Sequence, residues 1–474
     1  MSHSINHSMS QSMGKSKNQS ASHSLTVLKF GGTSVQDALA MQDLVRIVAT
    51  RKGERLVLVS AMAKVTDQLV ELGKSCASGD EKAVQAVVNQ LWERHQSVAR
   101  DLALTPGQQE PLRRLFDQLR ALSNSLAILG EVSARSLDDL LSFGELASSR
   151  LVCGAFEQAG IPAVWADSRQ LIRTDSRFGS AQVHWEETGE QARRVLQPLV
   201  ARSIVVAQGF IAADGDGVTT TLGRGGSDYS AAILGAVLSA GQIEIWTDVN
   251  GILSTDPRRV PEAKTLRRIH YAEAAEMAYF GAKVLHPATI FPALQKRIPV
   301  WVLNAKNPAD PGTEIVYDTS SVDLCGVAFK TGVTVINIHS TRMLGAHGFL
   351  KSVFDVFALH ELSVDLIATS EVNISLTLDR QVPANLVDRA IVDLRKISEV
   401  DVASGCATVS VIGRKIRETP GLAARLFGEI KDINVRMISM GASELNISFV
   451  IEEEHLNSVL RRLHRSLIET GQSG

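Results

Sequence analysis

The sequence has few cysteines: Cys76, Cys153, Cys325 and Cys406, all far apart. They match no zinc or redox spacing, so they read as reduced, mostly buried thiols of a cytosolic protein. Also missing is any uninterrupted apolar run long enough to span a bilayer as a helix. Charge of one sign is not in excess, since 49 Lys and Arg stand against 51 Asp and Glu. That balance gives no reason to expect nucleic acid or an anionic membrane as a partner. Neither a GxxxxGK[ST] phosphate loop nor an HRDxxxxN catalytic loop occurs, which sets aside the familiar ATP-site families. What remains is a globular composition over 474 residues, a length suited to two to four domains.

Residues 1–24 are rich in Ser, His, Asn and Gln. They carry too little apolar surface to offset the entropy of ordering, so a mobile tail is expected. They also lack the apolar segment of a signal peptide and the arginines of a transit peptide. Order is predicted to begin at Leu25–Phe30, a buried strand running into the turn Gly31-Gly32-Thr33-Ser34. A helix over about 36–50 and a strand at Arg55–Ser60 complete the start of a βαβ unit. In such sheets ligands gather beyond the carboxyl ends of the strands, where this turn lies. Lys29 there either meets an anion or simply reaches solvent. Residues 67–141 read as a helical excursion over the sheet. Further strands are predicted at 163–165, 203–207, 243–246 and 299–302, giving a doubly wound, mainly parallel α/β sheet.

The densest chemistry lies in Thr219-Thr220-Thr221-Leu222-Gly223-Arg224-Gly225-Gly226-Ser227-Asp228. Glycines let backbone N–H groups approach an anion closely, and Arg224 adds a bidentate donor, so the stretch reads as an anion site rather than only a tight turn. Glu145, after Gly144, is expected near a helix start, where the macrodipole favours a carboxylate. Asp248, after a strand, suits a ribose, a metal or a turn cap, and Arg258 suits phosphates. With Lys283 in Phe280–Pro287, the cations Lys29, Arg224, Arg258 and Lys283 form a set that would neutralise a polyphosphate and stabilise phosphoryl transfer.

Five blocks in order carry a resemblance that covers nearly everything after residue 24. Lys29–Ser34, Ser142–Glu145, Thr219–Asp228, Trp246–Val249 and Phe280–Pro287 resemble the signature blocks of aspartate kinases, within the amino acid kinase superfamily. The resemblance implies ATP-dependent phosphorylation of the β-carboxylate of L-aspartate to 4-phospho-L-aspartate, the first step toward lysine, threonine and methionine. By that resemblance Lys29, Gly31 and Gly32 face the phosphoryl group and Asp228 orients Lys29. Arg224 takes the substrate's α-carboxylate and Glu145 its ammonium, with Thr66, Gly225, Gly226 and Ser227 completing the pocket. Phe30, Thr247, Asp248, Leu253, Arg258, Lys283 and Val284 lie on the nucleotide side, with Mg²⁺ held by ATP and no metal ligands from the protein. The family usually has Tyr where Leu253 stands and often Gly where Ala63 stands.

The last third repeats itself. Ser370-Glu371-Val372-Asn373-Ile374-Ser375-Leu376 recurs 73 residues later (370 to 443) as Ser443-Glu444-Leu445-Asn446-Ile447-Ser448-Phe449, and Thr334–Ile338 recurs as Thr408–Ile412. Each copy reads βαββαβ, a ferredoxin-like unit. The resemblance makes them paired ACT domains that join subunits into a homodimer or a tetramer. The expected boundaries are 25–318 for the catalytic domain, 333–402 for the first repeat, and 323–331 plus 404–474 for the second. A short strand near Val327-Ala328-Phe329 would complete the second copy. The first copy resembles the effector pocket of lysine-inhibited members, formed by Met343, Ala346, Gly348, Phe349, Leu350, Ser363, Val364, Asp365, Thr369, Ser370 and Glu371. Asp365 and Glu371 would meet ammonium groups, and the backbone near Gly348 a carboxylate. Two other readings stay open: a related kinase of glutamate, acetylglutamate or UMP, and a catalytically idle amino-acid sensor.

Overall fold

The structure is a computed structural model describing residues 24–280, 287–317, 324–341, 347–380 and 382–469. The expected polar tail lies outside these but for Ser24. The strands of the first two-thirds of the chain are β1 (Thr26–Phe30), β2 (Arg55–Val59), β3 (Ala163–Trp165), β4 (Ile204–Gln208), β5 (Ile211–Ala213), β6 (Thr219–Thr221), β7 (Gln242–Thr247), β8 (Arg268–His270), β9 (Val300–Asn304) and β10 (Thr313–Val316). Eight form one sheet in the order β3-β4-β2-β1-β7-β9-β10-β8, and β5 and β6 form a separate hairpin. β3, β4, β2, β1, β7 and β9 are mutually parallel, while β10 runs antiparallel to β9. The sequence reading lacks the hairpin and the reversed edge, whose strands are too short to show a period.

Both sheet faces are covered, which is why the central strands are mainly apolar on both sides; the charged exceptions are Lys29 near the end of β1, Arg55 at the start of β2 and the buried Glu244 of β7, which Arg51 meets at 2.9 Å. Val27, Leu56, Leu58 and Val205 enter one core, while Leu28, Phe30, Val57, Val59 and Val206 enter the other. The second core is roofed by helices Val65–Ala77, Glu81–Asp101, Pro106–Leu129 and Ala134–Gln158; these form the expected helical excursion, the last running on past its expected end at 141. Thr105 and Gln108 form a capping box at the start of Pro106–Leu129.

The C-terminal third is a six-stranded antiparallel sheet of β11 (Leu324–His339), β12 (Ile367–Thr369), β13 (Asn373–Leu378), β14 (Glu399–Gly413), β15 (Met437–Met440) and β16 (Asn446–Glu452), in the order β12-β13-β11-β14-β16-β15. Its helices Phe349–Leu359 and Ala384–Leu394 belong to one repeat, and Leu422–Gly428 and Leu456–Leu463 to the other. The segment Val327-Ala328-Phe329 is not a separate short strand. It is the first half of the 16-residue β11, pairing with Val411, Ser410 and Val409, while Val335–His339 pair with Ala403–Glu399. A register shift between Thr331 and Val333 lets one strand serve both repeats, and Gly332 there has φ +67°.

Candidate active site

Parallel β1, β2, β4 and β7 all end at one edge, and the side chains beyond those ends converge. A cavity of about 290 Å³ is lined by Lys29, Ser60, Thr66, Glu145, Phe210, Gly223, Gly225, Gly226, Ser227 and Asp228. At its centre the Lys29 ammonium lies 2.7 Å from Asp228 Oδ1. Asp228 stands in the first turn of helix Gly226–Val237, a favourable place for a carboxylate, and the turn into that helix needs Gly225 at φ +72°. Ser60 Oγ donates to Ser227 Oγ at 3.0 Å, tying the end of β2 to the same helix.

Glu145 does not begin a helix, contrary to the expectation. It lies midway along the 25-residue helix Ala134–Gln158. Gly144 is there for close packing, since a Cβ on it would come 2.7 Å from the Ala61 Cβ. Glu145 is buried; Oε1 accepts from the Ala61 N–H at 3.1 Å, and Oε2 has no hydrogen-bond partner among the described residues. Burial pushes its carboxyl up from 4.5 to about 8, only partly offset by the Ala61 N–H and the Lys29 charge. An unpaired oxygen of this kind is suited to a cationic ligand group.

The Thr219–Asp228 stretch divides in two. Its three threonine hydroxyls are structural: Thr219 Oγ1 accepts from Arg169, Thr220 Oγ1 shares a 2.7 Å hydrogen bond with Thr174, and Thr221 donates to Asp138. Asp138, buried on the Glu145 helix, also accepts from the Thr221 and Gly179 N–H groups. It thereby fixes the hairpin that delivers Gly223–Asp228 to the cavity. Sequence reasoning missed Asp138 because its partner lies 83 residues away. Ser60 and Phe210 were also missed as site residues, although the small and hydroxyl residues after β2 marked the place of Ser60. Arg224 is exposed and free of ion pairs with described residues.

The glycine turn differs in detail from the expectation. Gly31 N–H donates to the Trp246 carbonyl at 3.1 Å, which fastens β1 to β7 and leaves Gly32 as the better amide for an anion. Phe30 sends its ring into the core, stacked on Trp246, so only its main chain can face a ligand. The next turn takes a positive φ at Lys64 (+68°) rather than at Ala63, so alanine there is not strained.

Thr247 and Asp248 follow at the end of β7, beside the Gly31 turn. Leu253 is half-buried and Arg258 exposed, its guanidinium held by Asp256 at 2.7 Å. Lys283 and Val284 lie outside the described residues, as do Met343 and Ala346 of the expected effector pocket. Gly348, at φ +88°, caps helix Phe349–Leu359, on which Leu350 is exposed. Ser363, Val364 and Asp365 lead into β12, which ends at Thr369, and Ser370 and Glu371 turn into β13. Asp365 is occupied: Lys330 Nζ lies 2.9 Å from Oδ2, and the Tyr279 hydroxyl donates to Oδ1 at 2.9 Å. Glu371 is exposed. Among the described residues the acidic group able to hold a metal is Glu452, Glu454 and His455, at the end of β16 and in the turn after it, and no helix is long and apolar enough to cross a membrane.

Residues 24–304 match the amino acid kinase family and residues 409–467 an ACT domain. The chain is 39% identical to lysine-sensitive aspartokinase 3 of Escherichia coli K12, over 94% of this chain and 99% of that protein. It is 35% identical to chloroplastic aspartokinase 1 of Arabidopsis thaliana, over 94% of this chain and 80% of the relative. The crystal structure of E. coli aspartokinase III with aspartate and ADP, in the R-state, superposes with a TM-score of 0.80 at 38% identity, covering 94% of this chain and 99% of the other. The T-state complex of that enzyme with lysine and aspartate gives 0.82 at the same identity and coverage. Matched over nearly its whole length, and carrying a lysine–aspartate pair at the strand ends, the chain belongs to the amino acid kinase family, within its aspartokinase branch.

Proposed function

We propose that the chain transfers the γ-phosphoryl group of ATP to the β-carboxylate of L-aspartate, and that L-lysine restrains it through the C-terminal repeats. The carrying observation is the Lys29–Asp228 pair in one cavity with the unpaired Oε2 of Glu145. A β-carboxylate oxygen attacks the γ-phosphorus, the bond to the ADP oxygen breaks, and ADP leaves with the electron pair. The attacking carboxylate is already ionised at neutral pH, so no general base is required. Lys29 neutralises charge on the equatorial oxygens and Asp228 holds its ammonium in place, which is the electrostatic positioning this reaction depends on. Glu145 receives the substrate ammonium and Arg224 its α-carboxylate, with Thr66, Gly225, Gly226 and Ser227 around them.

The nucleotide lies along Gly32, Thr247, Asp248 and the turn carrying Leu253 and Arg258. Mg²⁺ arrives with ATP and supplies further charge neutralisation on the phosphates. The lysine effector is read at Gly348–Leu350, Asp365 and Glu371. The domain boundaries stay those of the sequence reading, and the exposed Leu350, Phe354 and Leu359 on helix Phe349–Leu359 support a subunit contact there. ADP release measured with each acceptor, and hydroxamate trapping of the acyl phosphate from the carboxylic ones, tests the reaction: aspartate is expected to give product, and glutamate, acetylglutamate and UMP none. No product from aspartate would overturn the reading.

A further inference from the structure

The turn after β7 is held from two sides. Its first half rests on the kinase sheet, where Asn304 donates to Asn250 at 2.6 Å and Ile252 N–H donates to Thr313 Oγ1 at 2.8 Å. Its second half rests on the C-terminal repeat. Ser254, completely buried, has its carbonyl accept from Val327 N–H at 2.8 Å. Its Oγ accepts from Lys264 N–H at 2.9 Å and lies 2.8 Å from His464 Nε2. His464 is also completely buried, and its Nδ1 lies 2.9 Å from Glu469 Oε1.

Polar chemistry orders this chain of bonds. A carboxylate oxygen of Glu469 accepts from Nδ1, and the second bond is shared between Nε2 and the Ser254 hydroxyl. The hydroxyl in turn is free to accept from Lys264. Each buried group is satisfied, and removing the ring would leave Ser254 without its side-chain partner. The residues from His464 to Glu469 form a π-helical turn, which brings side chains five apart onto one face; such turns concentrate at functional sites. The Ser–His–Glu order has the connectivity of a hydrolytic triad. Its serine has no exposed surface, so no substrate reaches Oγ, and the arrangement holds rather than reacts.

We propose that His464, oriented by Glu469, is a positioning residue for the nucleotide: through Ser254 it sets the turn that bears Leu253 and Arg258. This rests on the reading that the turn after β7 faces the nucleotide. It makes the second C-terminal repeat part of the ATP subsite's support, independently of any effector.

The test is made on the full chain, with ADP affinity by calorimetry and steady-state KM for ATP and aspartate. His464→Ala is expected to raise the ADP Kd and the ATP KM about tenfold, as loss of one buried partner implies, with the aspartate KM changed less than about twofold. Ser254→Ala, a smaller lesion, should show the same split. His464→Gln, whose amide can again meet Ser254, should recover most of the affinity. An unchanged ADP Kd in folded His464→Ala and Ser254→Ala would overturn the proposal, as would a parallel rise of both KM values. A wild-type chain that bound ADP but phosphorylated no aspartate would defeat the functional reading alone, since the ADP measurement would still decide the role of His464.

Discussion

Lys29 Nζ and Asp228 Oδ1 face each other at 2.7 Å across the ends of β1 and the helix that begins at Gly226, 199 residues apart in sequence (29 to 228). Both are largely buried, so the pair is screened little by solvent. Lys29→Met should lower kcat about a thousandfold, the scale for losing a preorganised transition-state charge. Asp228→Asn, which leaves Lys29 in place but unsteered, should cost about a hundredfold. Rapid-quench measurement of the phosphoryl-transfer step separates this from product release.

Glu145 gives a pH dependence with a definite sign. Its folded carboxyl titrates at about 8 against an ordinary 4.5. The folded chain therefore keeps a proton that the unfolded chain loses, and the favourable contribution, full below about 4.5, is lost as pH rises to about 8. Urea unfolding of Glu145→Gln should thus match wild type near pH 4.5 and be relatively more stable at pH 8.5. Aspartate binding needs the ionised form to meet an ammonium, so the aspartate KM of wild type should fall from pH 6.5 to 8.5. The variant should have a high, flat KM.

Arg224 is exposed and unpaired among the described residues. Arg224→Ala should raise the KM for aspartate at least tenfold, on the scale of a lost charged hydrogen bond, and leave that for ATP nearly unchanged. The opposite pattern in initial-rate kinetics would move this residue to the nucleotide.

Gly209 lies against the start of the Asp228 helix, and a Cβ on it would fall 2.6 Å from the Ser227 Cβ. Gly209→Ala should destabilise by about 1–3 kcal/mol through overpacking. It should also raise the aspartate KM, because Ser227 must shift. Thermal unfolding alongside kinetics checks both.

The Asp365 carboxylate already carries the Lys330 ammonium and the Tyr279 hydroxyl, the latter from the kinase half. A lysine effector that uses Asp365 competes with Lys330 for that carboxylate. Lys330→Met should then bring half-inhibition to a lysine concentration about tenfold lower, on the scale of one charged hydrogen bond. Glu371→Ala should relieve inhibition. Activity titrated with lysine, and with threonine as control, measures each.

Much of this was legible in the chain. The runs Leu25–Phe30, Arg55–Val59 and Ile243–Trp246 are mainly apolar because both faces of a parallel sheet are covered, and that pattern survives in one dimension. The repeat of Ser370–Leu376 at Ser443–Phe449 likewise returned as β13 and β16. Lys29 stood out because a lysine ending a buried strand is costly to desolvate unless an anion meets it, whereas Glu145 and Asp228 took their roles from the resemblance.

Tertiary structure alone decided the rest. Glycine at 144 reads as a helix boundary until Ala61 is seen against it, because a break and a close approach leave the same letter. The threonines of 219–221 read as ligand donors until Asp138 and Thr174 are found bonded to them. Val327–Phe329 reads as a short strand until the bulge at Gly332 carries it into β11. Local periodicity and composition are set by neighbours in the chain, and these the sequence determines. Which hydrogen-bond donor is already taken, and which carboxylate is left without a partner, depends on groups brought together from tens or hundreds of residues away, and only folding supplies them.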